Sequence, residues 1–507
     1  MKKRASLTTI SATAAAIALV LAGCSTAATG STTASGTTSV TSVSLAADDG
    51  SFFDSSTVHS IEILVDEAEV EAMIQTYLDT GEKEWLEADV VIDGVTYESV
   101  GIKLKGNSSL QGVTLDTPIT DLPWRIRTDK YVDDQSIEGV TDIVVRSNNT
   151  ESSLNEAVAL EMLSYAGLAT EESSATRFSI NGSEEDLRLT VAVPNDSWLE
   201  RNAEAGLLPS SDGILYKAES GYDYSWLGED GDLYTEAFDL EEGEEDYQPL
   251  VDFLDVVNNT TDEEFAEQLP EVLDVDSFAR YLALEDLIDN FDDIDGPGNN
   301  SYLYYDPASG QMTVVAWDHN LAFGVQNGGG QPGEMGGAPG ERGGVPGGRG
   351  AAPGAAGELP EGVAEGELPE GVAEGELPEG VAEGELPARP GGAPGGVPGD
   401  AAGGGFGGGA QSGNNQLTTR FLENEEFAAL YEEALADLQA ELYDSGLLEE
   451  TVDSWVDVLT AGASDLIDTT TLQSESESIL GYATSEVQAR TSETREETGA
   501  ADPGATA

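Results

Sequence analysis

The 507-residue chain has one cysteine, two histidines and only 21 basic residues against 97 acidic ones. Each shortage excludes something. A lone thiol, Cys24, cannot close an internal disulfide. Two histidines and that cysteine are too few for an ordinary tetrahedral zinc site. Neither His59 nor His319 stands beside a serine or cysteine nucleophile motif, which argues against a Ser-His-Asp hydrolase. The formal net charge of −76 repels nucleic acid and anionic headgroups, so no nucleic-acid partner is expected. Such a surface suits a salty or cation-rich exterior. After the N-terminal segment, no apolar run has the length of a transmembrane helix.

The N-terminus carries Lys2, Lys3 and Arg4, then an apolar run from Ala14 to Ala22 that is too short to span a bilayer. The run ends in Leu21-Ala22-Gly23-Cys24, which resembles a bacterial lipobox. The expectation is a lipoprotein signal peptide over 1–23 and a lipid on Cys24. The mature chain would then be extracytoplasmic and anchored to the cell membrane. Residues 24–52 form a flexible Ser/Thr/Ala-rich linker that cannot bury a core.

Alternating apolar residues predict strands at Ile61–Val65, at EADVVIDGVTYESVGIKLKG with Asp93-Gly94 as a hairpin turn, at PWRIRTD and at TDIVVRSN. SSLNEAVALEMLSYAG reads as a helix closed by Gly167. Two strands follow in ATRFSINGSEEDLRLTVAV, joined by Asn181-Gly182. Helical periodicity then appears over Leu250–Val257, Val275–Ile288 and most of 416–490. The order sheet, helix, sheet, helices predicts an α+β fold. Between 327 and 415 the composition falls to Gly, Pro, Ala and Glu, with GELPEGVAE repeating at period nine from Gly357. This segment reads as a long disordered insertion, and 491–507 as a disordered tail.

The densest chemistry lies in DNFDDIDGPGNNSYLYYDPASGQMTVVAWDHNLAFG, residues 289–324. Asp292, Asp293 and Asp295 precede a predicted hairpin, strand Ser301–Tyr305 and strand Met312–Trp317, and Asp318 follows it. Phosphoryl transfer from a nucleotide needs a carboxylate to orient the attacking hydroxyl, acidic or amide metal ligands, and cations on the phosphates. A kinase supplies the first two as a loop with Asp then Asn, a hairpin, and a metal Asp. Asp292, Asn300 and Asp318 have that order. An EF-hand reading of DDIDG fails, because Phe291 and Tyr302 stand where acids are needed.

GIKLKGNSS (101–109), PWRIRTDKYVDDQSIEG (123–139), SLNEAVALEMLSYAG (153–167), GILYK (213–217), NFDD…NNSYLYYD (290–306) and WDHNLAFG (317–324) together resemble the CotH kinase family, the spore-coat-protein-H type of secreted kinase-like proteins. The resemblance covers about 55–326 and 416–490 and includes RFLENEEFAALYEEAL. It implies a two-lobed, atypical protein-kinase-like fold over 53–326, completed by helices in 416–490. It also implies ATP with Mg²⁺ or Mn²⁺ as cofactors and a protein Ser or Thr acceptor. Asp292 resembles the catalytic aspartate, and Asn300 and Asp318 the metal ligands. Arg125, with Arg127 on the same face, resembles the base that meets nucleotide phosphates, and Glu156 would pair with it. Lys105, Asn107 and Lys217 complete the expected nucleotide contacts. The chain departs from the family pattern at Asn155, often basic there, and at Pro194, where a Glu is usual. An inactive kinase-shaped surface protein, or a transferase of AMP or an amino acid, are the alternative readings.

Overall fold

The computed structural model describes residues 51–325 and 415–483, except 107, 220–221, 223 and 297–299. The expected signal peptide, Cys24, most of the linker, all but the last residue of the 327–415 insertion, and the tail lie outside these residues.

Seven strands close into a barrel. They are β1 (His59–Leu64), β2 (Leu86–Ile92), β3 (Val95–Leu104), β4 (Trp124–Arg127), β5 (Asp142–Val145), β6 (Ser173–Ile180) and β7 (Asp186–Ala192), in the order β1-β2-β3-β4-β5-β7-β6. Every pairing is antiparallel except the one that closes the barrel, β6 beside β1. The hairpin turns are those the sequence predicts. Asp93-Gly94 and Asn181-Gly182 both take positive φ, as a type I′ turn requires. Inward residues such as Ile61, Val90, Ile102, Trp124, Ile126 and Ile143 fill the barrel and are completely or almost completely buried.

A second sheet has the order β11-β10-β8-β9, built from β8 (Ile214–Ala218), β9 (Phe238–Glu242), β10 (Ser301–Asp306) and β11 (Gln311–Ala316). Its alternating side chains divide between two cores. Leu215, Tyr302, Tyr304 and Val315 join the barrel core. Tyr216, Leu303 and Val314 join a helical core. The sheet therefore lies between barrel and helices. That helical core unites α2 (Leu154–Tyr165), α4 (Gln248–Asn259) and α6 (Val275–Leu287) with α8 (Glu425–Leu438), α9 (Leu447–Gly462) and α10 (Thr469–Gly481). Residues on the two sides of 326–414 thus share one core.

Helix α2 is buried on nearly all sides, from Leu154 to Ser164, so its position is set by packing and by its ends. Its entry is held by Glu475 of α10, which accepts from the backbone N–H of Glu151 (2.8 Å) and Ser152 (3.1 Å) and from the Ser152 hydroxyl. Glu475 is 5% exposed. Glu475→Ala leaves those donors without their charged acceptor. It should lower the unfolding free energy by about 2–3 kcal/mol, the worth of hydrogen bonds to a buried charge, as measured by urea titration.

On the other side of α2, Glu161 accepts from Trp455 Nε1 of α9 at 2.7 Å. Burial pushes its carboxyl up to about 7, against the opposing pull of hydrogen bonds from Trp455 and Ser55. A carboxyl raised on folding favours the folded state at low pH. Its contribution is complete below the unfolded value and fades as pH rises through about 7. The wild-type melting temperature should therefore fall between pH 5 and 8 more steeply than that of Glu161→Gln, which cannot titrate there.

Candidate functional site

Strand β5 is buried at all four positions, and the chain leaves it at Arg146, whose N–H still donates to Leu189 O of β7 at 2.8 Å. The guanidinium is thereby fixed at the end of the barrel, 6% exposed. Three carboxylates surround it. Glu156, in the first turn of α2, lies 2.5 Å away, Asp318 3.0 Å away, and Glu171, just before β6, 3.9 Å away. Lys105, one residue past β3, places its ammonium 4.7 Å from the Trp317 ring, and Arg146 lies 5.7 Å from the same ring. Lys105, Arg146, Glu156 and Asp318 line a cleft of about 440 Å³, open solvent included.

The electrostatics follow from burial and proximity. Burial and the nearby Arg146 charge push Lys105 down to about 8, while Asp318, Glu171 and Glu156 oppose the shift. Burial raises Glu156, and raises Glu171 to about 7 despite Arg146. Asp318 behaves differently. Burial works to raise it, but Arg146, Lys105 and His319 outweigh that and hold it below the usual carboxylate range. Of the three, Asp318 is the carboxylate held below the usual range. Its backbone is left-handed, at φ 64°, and one edge of its side chain stays accessible, 23% exposed. A non-glycine residue in this region is strained and is held there by its surroundings.

The open end of the β10–β11 hairpin carries the rest. Ser301 pairs with Ala316, so Asn300 and Trp317 flank the last rung and Asp318 follows at once. Asn300 Nδ2 donates to Asp292 Oδ2 at 3.3 Å. Asp292 is held by a tight return of the chain: a Cβ on Gly296 would sit 2.4 Å from Asp292 Cα, so only glycine fits. Asp292 and Asn300 are therefore paired at the open end of the hairpin, and Asp318 lies two residues past the last rung on the opposite strand. Asp293 Oδ1 accepts from the Asp295 N–H at 2.9 Å. Burial and the neighbouring Glu285 and Asp295 raise Asp293, and burial raises Asp295 to about 6. His319 is fully buried, its Nε2 2.9 Å from Glu285 Oε1, while Glu285 Oε2 accepts from Asn290 Nδ2 at 2.8 Å.

The remaining predicted residues lie elsewhere. The expected Arg125–Glu156 pair does not form. Arg125 and Arg127 alternate with the buried Trp124 and Ile126 and so point out of the barrel. Arg125 instead binds Asp142, with Nε at 3.1 and 3.0 Å and Nη2 at 2.6 Å from its oxygens. Asp142 is 1% exposed and needs that countercharge. Glu156 follows β5 in the chain and pairs with the residue that ends β5, Arg146. Arg127 pairs with Asp129 at 2.7 Å, and Lys217 with Glu219 at 2.5 Å. Asn107 lies outside the described residues. Arg146, Glu171 and Glu285 have no counterpart among the predicted residues. Arg146 did carry a signal: it is a lone cation directly after the apolar run Ile143–Val145, ten residues before Glu156.

Several buried atoms of the cluster have ion-pair neighbours but no hydrogen bond: Arg146 Nε and Nη2, Glu156 Oε1, Asp318 Oδ1 and both oxygens of Glu171. Two cations face three carboxylates, an excess of one negative charge when all are ionised. Among the described residues, no group of three or more His, Cys, Asp or Glu is arranged to hold a metal by itself. Asp318 offers a carboxylate and Asn300 an amide carbonyl, both hard oxygen donors. That fits an ion such as Mg²⁺, which commonly takes one or two carboxylates and completes its shell with phosphate and water.

The family model described as CotH kinase protein matches residues 102–490, well over half of the sequence. The chain belongs to the CotH kinase family. Membership implies a kinase-like function. A search of curated proteins returns no match.

Proposed function

We propose that this chain is an extracytoplasmic, lipid-anchored phosphotransferase that moves the terminal phosphoryl group of ATP to a Ser or Thr hydroxyl of a surface or secreted protein. In this reading the barrel with α2 is one lobe and the four-stranded sheet with its helices is the other. The 327–415 segment is an inserted loop, and Cys24 carries the lipid. The reading is supported by the Asn300–Asp292 hydrogen bond at the open end of β10–β11 and by Asp318, just past the other strand, beside the Arg146–Glu156 pair.

Asp292 orients the acceptor hydroxyl and takes up its proton. Asn300 fixes one Asp292 oxygen through its amide N–H, and its carbonyl would be available to hold the metal. Asp318 supplies the ionised carboxylate of that site. Bound Mg²⁺ or Mn²⁺ would neutralise charge that develops on the transferring phosphoryl group. Lys105 and Arg146 face the phosphates, and Glu156 holds the Arg146 guanidinium in place, as a kinase Lys–Glu pair does. Arg146 therefore takes the role expected of Arg125.

The test is incubation of the purified chain with ATP, Mn²⁺ and extracts of surface proteins, followed by intact-mass analysis. Addition of a phosphoryl group to Ser or Thr supports the reading. Addition of AMP or an amino acid replaces it with another transfer. An unmodified acceptor pool, together with no ATP binding, leaves a kinase-shaped binding protein.

A further inference from the structure

The chain holds more than four acids for every base. Among the described residues, every arginine and Lys217 has a carboxylate within ion-pair distance. Lys103, Lys105 and Lys130 have none there and lie against tryptophan rings instead. Lys105 belongs to the cleft above. The other two share Trp85: Lys103 Nζ lies 4.6 Å and Lys130 Nζ 5.1 Å from its ring, with the Arg125 guanidinium at 6.0 Å. The negative π face holds together cations that would otherwise repel one another.

The cluster is built into β3. A Cβ on Gly101 would meet Lys130 Cβ and Cγ at 2.6 Å and the Trp85 ring at 3.1 Å. The Lys130 stem and the indole can lie over the strand only because that residue is glycine. Lys103 stands two residues before Lys105, so the patch runs from the cleft outward along one side of the chain. Lys130, at its outer edge, is exposed.

We infer that Lys103, Lys130 and Trp85 form a docking surface for an anionic stretch of the acceptor polypeptide, one bearing carboxylates or phosphates beside the modified hydroxyl. The inference rests on the phosphotransfer reading of the adjoining site. A protein of charge −76 attracts a basic acceptor over its whole surface, so a basic acceptor needs no cation patch for docking. An acidic acceptor is repelled everywhere except where such a patch offers complementary charge, and that contrast supplies specificity. An exposed outer lysine suits an extended chain better than a nucleotide held inside the cleft. The three cations beside Trp85 also occupy its surroundings, where a base would have to stack.

The probe is a fluorescein-labelled decapeptide of glutamates with one central serine, titrated by anisotropy against the full chain at low salt. Lys103→Gln/Lys130→Gln should weaken its binding about fivefold, in line with two surface charge contacts. It should leave the melting shift caused by ATP and Mn²⁺ unchanged. Lys103→Arg/Lys130→Arg keeps the charge and should keep the binding, which separates lost charge from lost folding. No binding by wild type, or equal binding by wild type and the Gln variant, overturns the inference. So does a loss of the ATP shift in the Gln variant, which would give the patch to the nucleotide. Should wild type show no ATP shift while the peptide still requires Lys103 and Lys130, the anionic docking surface stands and the phosphotransfer reading falls.

Discussion

Asp318→Ala should abolish the rise in melting temperature that ATP with Mn²⁺ gives the wild-type chain. A ligand that binds only the folded state stabilises it by about 2.7 kcal/mol at a hundredfold excess over its dissociation constant, a shift of several degrees for a domain of this size. Asp318 is the one carboxylate of its cluster held below the usual range, so it is the group ready to meet a cation at neutral pH. Arg146 keeps Glu156 and Glu171 as partners after the change, so the fold should survive. Asp292→Asn should act differently. It keeps a side chain of the same shape beside Asn300, so the ATP shift should persist. Phosphoryl transfer should drop by about 10²–10⁴, the usual worth of a general base. A melting assay and a transfer assay on the two variants thus separate binding from chemistry. A full ATP shift in Asp318→Ala would remove Asp318 from the metal site.

Local features of the fold were legible in the sequence, and non-local ones were not. The Asp93-Gly94 and Asn181-Gly182 turns announce their hairpins because they need only two residues with positive φ between alternating strands. The α2 helix announces itself by its apolar content and the Gly167 stop. Closure of the barrel does not, since it depends on residues 59–63 lying beside 176–180, and no local period encodes that pairing. Helix α5 (Asp262–Val272) is masked by its internal Pro270. Helix α3 (Asp196–Ala205) begins two residues after Pro194, the position where the family pattern usually has a Glu, and is capped by Asn195 on the Trp198 N–H at 3.0 Å.

The site divides in the same way. Asp292 and Asn300 precede one strand of a hairpin and Asp318 follows the other, so chain order alone brings them to its open end. The cation that faces Asp318 comes from a different strand. Arg125 and Arg146 are both basic residues of the barrel, and only the register decides between them. Arg125 sits mid-strand opposite Val144, within reach of Asp142, while Arg146 ends the strand that leads into α2.

Arg146→Ala should be the most damaging single change away from the apolar cores. It removes the one guanidinium that neutralises Glu156, Glu171 and Asp318, and stranding buried carboxylates costs about 3–5 kcal/mol. The loss should depend on pH in a definite direction. Burial already raises Glu156 and Glu171, the latter to about 7, and removing Arg146 takes away the chief influence that opposes the rise. A carboxyl raised on folding stabilises the folded state below its unfolded value and ceases to do so as pH climbs through its folded value. The deficit of Arg146→Ala against wild type should therefore be smallest near pH 5 and grow toward pH 8. Arg146→Lys restores one charge but not the planar fork that reaches two carboxylates at once. It should recover part of the stability, yet not the ATP-induced melting shift. Urea titrations of the three proteins at pH 5, 6.5 and 8 would show this. A deficit that stays flat or shrinks as pH rises would mean that Arg146 matters through packing on Trp317 and not through the carboxylates it faces.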